Sequence, residues 1–120
     1  MEQTVNMDNV KVVVSNNGGS TTEVKEVTEF CIVRTNSAGV FAGHIKSRDG
    51  DEVVMSISRR IWEWSGANSL SQLAIEGTKD PANCKFPCNV FDQILLGVIE
   101  IIPCTAQGRD SINAVPVWAA

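Results

Sequence analysis

Hydrophobic and polar positions change character near residue 28. Before it, Asn, Thr, Ser, Glu and Gly dominate, with Asn16-Asn17-Gly18-Gly19-Ser20 as a loop signal and one short apolar patch, Val10 and Val12-Val13-Val14. Residues 1–28 therefore read as a flexible N-terminal tail, with that patch as a strand at an edge or on a neighbouring subunit. After it come short apolar runs cut by turn residues. Phe30–Thr35, read Phe-Cys-Ile-Val-Arg-Thr, is the first strand, and Asn36-Ser37-Ala38-Gly39 is a turn. Val40–Lys46 alternates between an apolar and a mixed face, with Gly43 inside it as a point of bending or close packing. Asp49-Gly50 is a hairpin signal, and Glu52–Ile57 is the returning strand, which completes an antiparallel meander.

The next stretch reads differently. Ser58–Trp64 continues as a strand in this reading, placing Arg60, Trp62 and Trp64 on one face. Ser65-Gly66-Ala67 breaks it, and Asn68 or Ser69 caps a short helix. Gln72 completes the capping pattern three residues after Ser69, Leu70, Leu73 and Ala74 form the apolar face, and Gly77 ends it. Asp80-Pro81 and Phe86-Pro87 mark a loop over 78–89. Phe91–Pro103 is the most apolar run, rich in β-branched residues in its second half, and is predicted to be one strand bent at Gly97. Thr105–Asn113 suits one helical turn, and the extended end from Val115 places Trp118 against the body or a neighbour. The fold class is α+β and mostly β: a small antiparallel barrel-like sheet, residues 29–120, with one short helix inserted near 68–77.

Composition limits what such a domain does. At 120 residues and a net charge of −4 the chain is one domain without the basic face that general binding to duplex DNA requires. No apolar run is long enough for a membrane span, and the N-terminus lacks a secretory h-region, so a reducing cytoplasm is expected. Cys31, Cys84, Cys88 and Cys104 read first as reduced structural thiols. A zinc site would need three separate regions to converge, with Cys84 and Cys88 at an unusual spacing, and disulfides would need an oxidising compartment. No cofactor and no metal are expected.

Catalytic chemistry finds little support. His44 is the sole histidine and has no nucleophile signature around it. Glu100, between Ile99 and Ile101, reads as solvent-facing or arginine-paired, and Asn17-Gly18-Gly19 lacks the helix and lysine of a phosphate loop. The better material is Arg34, Arg59, Arg60, Trp62, Trp64 and Asn68. Guanidinium forks grip phosphate oxygens, indoles stack on bases, and an Asn side chain reads a base edge, so these six are the candidate ligand-binding residues for a nucleotide or short single strand. The competing reading makes the tryptophans core or subunit-interface anchors and lets the arginines solvate a sheet edge.

Two resemblances follow. Val33-Arg34-Thr35, Ser37-Ala38-Gly39-Val40, Arg48-Asp49-Gly50, Arg59-Arg60-Ile61-Trp62, Trp64, Gly66-Ala67, Leu70-Ser71-Gln72-Leu73-Ala74, Gly77, Cys84-Lys85-Phe86-Pro87 and Ile99-Glu100-Ile101-Ile102-Pro103 resemble a family of small phage and prophage proteins, over about Phe30 to Trp118. No activity follows from that likeness. The order of strands and glycine turns is also similar to Sm-like or SH3-like small barrels, although the excursion over 58–89 replaces the short fourth strand, and no Sm RNA-binding motif is present. Small barrels pair their edges, which implies a homo-oligomer.

Together these imply a phage-encoded, non-enzymatic binding protein of the host cytoplasm that sequesters a nucleotide signal of host immunity. The alternative is a protein-interaction or virion-associated module binding a host protein. A metal-dependent hydrolase is the third reading.

Overall fold

The run Phe30-Cys31-Ile32-Val33 is buried on both sides, and the molecule is layered around it. In a strand successive side chains point to opposite faces. Phe30 and Ile32 accordingly join one apolar cluster, and Cys31 and Val33 join another. A strand covered on both faces must be apolar throughout, which is why this run shows no alternation. The computed structural model describes the backbone of residues 5–7, 10–17 and 21–119 and the side chains of 27–119.

The elements are β1 (Val5–Met7), β2 (Val10–Asn17), β3 (Thr21–Thr35), β4 (Val40–Asp49), β5 (Glu52–Arg60), α1 (Leu70–Glu76), β6 (Asn89–Leu95), β7 (Val98–Thr105) and α2 (Ala106–Ala114), with a single 3-10 turn at Pro81–Asn83. The sheet runs β1-β2-β3-β4-β5-β6, and β7 pairs with the remaining side of β3. All pairings are antiparallel. β3 carries β2 along its first half, in the register Val14 opposite Val24, and β4 and β7 along its second half. It runs unbroken through the boundary placed at residue 28. Residues 1–4, 8–9 and 18–20 of that tail lie outside the described residues.

The predicted meander is present with longer strands. Asp49 faces Glu52 across the Gly50-Asp51 turn. Gly43 meets β5 so closely that a Cβ there would lie 2.0 Å from the Ile57 carbonyl oxygen. The run predicted as one bent strand is interrupted at Leu96-Gly97, and Gly97 takes φ 69°. Because β6 opposes β5 and β7 opposes β3, β6 and β7 point the same way. The chain thus leaves one edge of a curled sheet and joins the other by a bend rather than a reversal. The Asn36 N–H to Gly97 O bond (2.8 Å) and the Val98 N–H to Asp51 O bond (2.9 Å) hold that corner. β6 and β7 do not pair with each other, so the five core strands β7-β3-β4-β5-β6 form an open sheet and not a closed barrel.

Cys31, Val33, Phe41, Val53, Met55 and Leu95 pack inside the curl, with Ile45, Val98 and Ile101 around them. The other face carries the helices. Leu73 and Ala74 of α1 and Ile112 of α2 meet Phe30, Ile32, Ala42, Phe86 and Cys104 there. Ser69 Oγ accepts the Gln72 N–H at 3.1 Å, and Gln72 Oε1 accepts the Asn68 N–H at 2.8 Å, so the capping pattern forms one residue wider than the usual box. α2 is longer than the single turn predicted for it and is capped by Thr105, whose hydroxyl accepts the Gly108 N–H at 3.0 Å and donates to the Ile75 carbonyl. One side chain thereby caps α2 and ties it to the end of α1. No helix among the described residues is long and apolar enough to cross a membrane.

The four cysteines are free. Burial pushes the Cys31 thiol up to about 11 and the Cys104 thiol to about 12. Since the thiolate is the reactive form, an aromatic disulfide reagent at pH 8 is expected to modify the exposed Cys88 promptly. Cys31, Cys84 and Cys104, all buried, are expected to react only once denaturant is added. Prompt modification of Cys31 or Cys104 in the native protein would contradict this packing. Raised thiol pKa values also mean that folding disfavours the thiolates. Stability is therefore full below the ordinary thiol value of 9.0 and declines as pH rises toward the folded-state values.

Candidate functional site

The strand predicted through Trp64 stops at Arg60. Beyond it Ile61 is buried and keeps a bond to β4, its N–H donating to Val40 O at 2.8 Å. The chain then turns to meet the loop before β6. The Lys85 N–H donates to Glu63 O at 2.7 Å, and the Glu63 N–H donates to Lys85 O at 3.3 Å, a one-pair antiparallel bridge. Phe86 forms a parallel bridge with Val117, and the Trp118 N–H donates to Phe86 O at 3.0 Å. Three short segments, around Glu63, Lys85 and Val117, therefore lie side by side. Trp118 docks on the body, one of the two placements expected of it.

These segments frame an open cleft of about 600 Å³ lined by Glu63, Trp64, Ser65, Ala82, Asn83, Cys84, Lys85 and Trp118. Lys85 Nζ lies 3.6 Å from Glu63 Oε2 and 5.6 Å from the centre of the Trp118 ring. Its ammonium is thus held by a carboxylate and an indole face together, both at the surface, and remains open to a third, anionic partner. Hydrogen bonds tie the chain beneath the cleft together. Ser65 Oγ donates to Asp80 Oδ2 at 3.0 Å, Asn83 Nδ2 donates to both Asp80 carboxylate oxygens, and the Ser65 N–H meets Cys84 Sγ at 3.4 Å.

Of the six residues nominated from sequence, Trp64 lines this cleft. Trp62 is 63% exposed nearby, its N–H donating to Lys85 O at 3.1 Å. Asn68 is exposed at the start of α1, where its backbone serves the cap. Arg34 lies across from Glu100 in the ladder, and its Nε donates to Glu100 Oε1 at 2.9 Å. This is the arginine partner expected for Glu100. Arg59 and Arg60, adjacent on a strand, point to opposite faces. The Arg60 guanidinium lies 4.5 Å over the Phe41 ring and donates to the Ala38 carbonyl.

Arg59 is 5% exposed, and its five N–H groups are spent on main-chain carbonyls. Nε donates to Pro87 O, Nη1 to Ile112 O and Val115 O, and Nη2 to Phe86 O and Pro116 O, at 2.8–3.3 Å. Two of these carbonyls lie at the C-terminal end of α2, where the helix dipole favours a cation. Burial lowers the Arg59 pKa from the ordinary arginine value, and the neighbouring Cys88 acts the other way. Arg59 thus builds the cleft from behind: it fixes the 86–87 loop and the chain at 115–116, which together carry Lys85 and Trp118.

Sequence reasoning did not nominate Glu63, Lys85 or Trp118 for the site. The opposite charges of Glu63 and Lys85 are the one signal for their pairing, and 21 intervening residues hide it. His44 stands edge-on to Phe30 with ring centres 5.4 Å apart. Among the described residues no three His, Cys, Asp or Glu side chains gather as metal ligands would.

A family model described as a domain of unknown function, DUF6948, matches residues 28–112. No curated protein and no solved structure matches the chain.

Proposed function

The chain belongs to the DUF6948 family, and from that premise together with the cleft we propose that it is a non-enzymatic binding protein for a nucleotide-like ligand. The observation that carries this reading is the placing of Trp64, Trp118 and Lys85 around one cleft. Its volume suits a small molecule. An indole offers a stacking face to any base, and the lysine offers a point charge to a phosphate. Relative to the sequence reading, the cation moves from Arg59 and Arg60 to Lys85. The resemblance to phage and prophage proteins supplies the setting: the ligand is a nucleotide signal of host immunity, held in the host cytoplasm and thereby withdrawn.

Titration of the protein with mononucleotides and cyclic dinucleotides, followed by calorimetry, tests this. Binding is expected, and Trp64→Ala and Trp118→Ala are each expected to weaken it roughly tenfold, within the ~1–3 kcal/mol of one stacked base. Lys85→Ala is expected to weaken it further as salt falls, because screening no longer hides the missing charge. Absence of binding to the whole panel, or full affinity in both tryptophan variants, removes the proposal. The second reading, a protein-interaction or virion-associated module, draws support from Trp62, a residue 63% exposed beside the cleft. Under it, Trp62→Ala abolishes a complex with one host protein and leaves nucleotide titrations flat.

A further inference from the structure

β6 ends the hydrogen-bonded path, and among the described residues no strand pairs with its outer edge. Backbone donors and acceptors along such an edge can add another strand. Natural edges are blunted by charged residues, proline or bulges; Asn89-Val90-Phe91-Asp92-Gln93-Ile94-Leu95 has no lysine or proline, and its one charge and one irregularity both fall at Asp92. It exposes apolar side chains instead: Phe91 71%, Ile94 61% and Val90 42%, followed by Leu96 at 63%.

The register shows how these are arranged. Phe91 lies opposite Ile57, which lies opposite His44, and His44 packs on Phe30 of the helix-side cluster. Ile94 lies opposite Val54, whose neighbours Val53 and Met55 point into the curl. Phe91 and Ile94 therefore share the helix-side face of the sheet, with Asp92 at φ 53° as the irregularity that brings them there. α2 covers this face only as far as Asn113, which closes a small groove with His44, Ile57 and Asn89.

We propose that the β6 edge is a dimer interface, on which a second copy of this chain pairs its own β6 antiparallel about a two-fold axis. Identical edges are self-complementary in hydrogen bonding, and isologous two-fold contacts are the commonest assembly. The joined sheet places Phe91 and Ile94 of both copies on one continuous face. The charge pattern permits the approach: Asp92, the single charged residue of β6, is paired with Lys46 Nζ at 3.4 Å, so two copies bring together neutral pairs and not bare carboxylates. Phe91 and Ile94, at 71% and 61% exposure, give that shared face an apolar centre. A stable interface buries ~800 Å² per partner, so the edge backbone and the polar residues flanking Phe91 and Ile94 take part in it.

Native mass spectrometry of the full chain over a dilution series tests the interface. A dimer is expected at micromolar concentration. The double variant Phe91→Lys, Ile94→Lys is expected to be monomeric with an unchanged circular dichroism spectrum, since both side chains point to solvent within one copy. Hydrogen exchange on the unaltered protein gives a second reading if that variant fails to fold: β6 amides are expected to lose protection as dilution dissociates the dimer. A wild-type monomer at submillimolar concentration, a folded double variant that stays dimeric, or β6 protection independent of dilution each overturns the proposal.

Discussion

Arg59→Met is expected to cost about 2–4 kcal/mol of folding stability, from the carbonyls it leaves unpaired at ~1–3 kcal/mol for a buried one. That is a large share of the roughly 5–15 kcal/mol that holds a domain of this size together. The substitution keeps the volume of the side chain and removes its five donors. Pro87 O, Val115 O and Pro116 O lose the bond that Arg59 makes to each. Of these Val115 O is the buried one, for which the loss costs ~1–3 kcal/mol, and the part-buried Pro87 and Pro116 carbonyls cost less because water can reach them. The Ile112 and Phe86 carbonyls lose less, because each also accepts a backbone N–H, from Val115 and Trp118 respectively. Arg59→Lys restores the charge but has three donors and no planar fork, so it is expected to recover less than half of the loss. Urea unfolding of the three proteins measures this. A loss below ~1 kcal/mol in the methionine variant would show that the five bonds contribute no more than an ordinary surface contact. Partial unfolding is expected to begin at the C-terminus, because Arg59 is the tie between β5 and the chain at 115–116 that leads to Trp118.

Gly108→Ala is expected to destabilise the protein by about 2–3 kcal/mol, in the range of overpacking. Helix propensity alone predicts the opposite sign, a gain near 1 kcal/mol for alanine over glycine inside a helix. The reason for the reversal is distance. A Cβ on Gly108 would lie 1.9 Å from the Ala74 carbonyl oxygen and 2.6 Å from its carbon. Both are backbone atoms of α1, so no side chain can rotate away, and the helices must separate. Separation loosens Leu73, Ala74 and Ile112, all fully buried at their contact with the sheet. Asn113→Ala, at an exposed position of the same helix, serves as the control and is expected to change stability by under ~0.5 kcal/mol. Thermal unfolding of both variants distinguishes the two effects. A stabilised Gly108→Ala protein would mean that α1 and α2 are not in close contact.

Much of the β framework was readable because its signals are local. The uninterrupted Phe30–Val33 run, the alternation after Val40 and the Asp49-Gly50 turn each act within a few residues, and each predicts a strand or turn that forms. The α1 cap is similar, since Ser69, Gln72 and Gly77 satisfy backbone groups one turn away. Gly43 carried a close-packing signal that the Ile57 carbonyl explains. The bend at Gly97 was readable too, but not its consequence, because whether the two halves of that run pair with each other or with β5 and β3 is decided by long-range register.

The site was less legible for the same reason. A sequence reading counts Arg59 and Arg60 as one basic pair, and the strand geometry sends them to opposite faces. Which face received the carbonyl cage depended on where α2 ended and the C-terminal chain turned back, more than 50 positions away. Residue type alone determined that the chain had two indoles and an arginine pair to place near one another, and that Phe30–Thr35 would be a strand. The tertiary structure decided that one arginine would become scaffold, and that Trp64 would find Trp118 and Lys85 across a cleft and not Arg59 and Trp62. Local preferences are set by backbone sterics and by hydrogen bonds within a turn, so they are written in adjacent residues. Side chains from distant segments converge only after loop closure and packing have fixed one arrangement, and no short stretch of the chain records it.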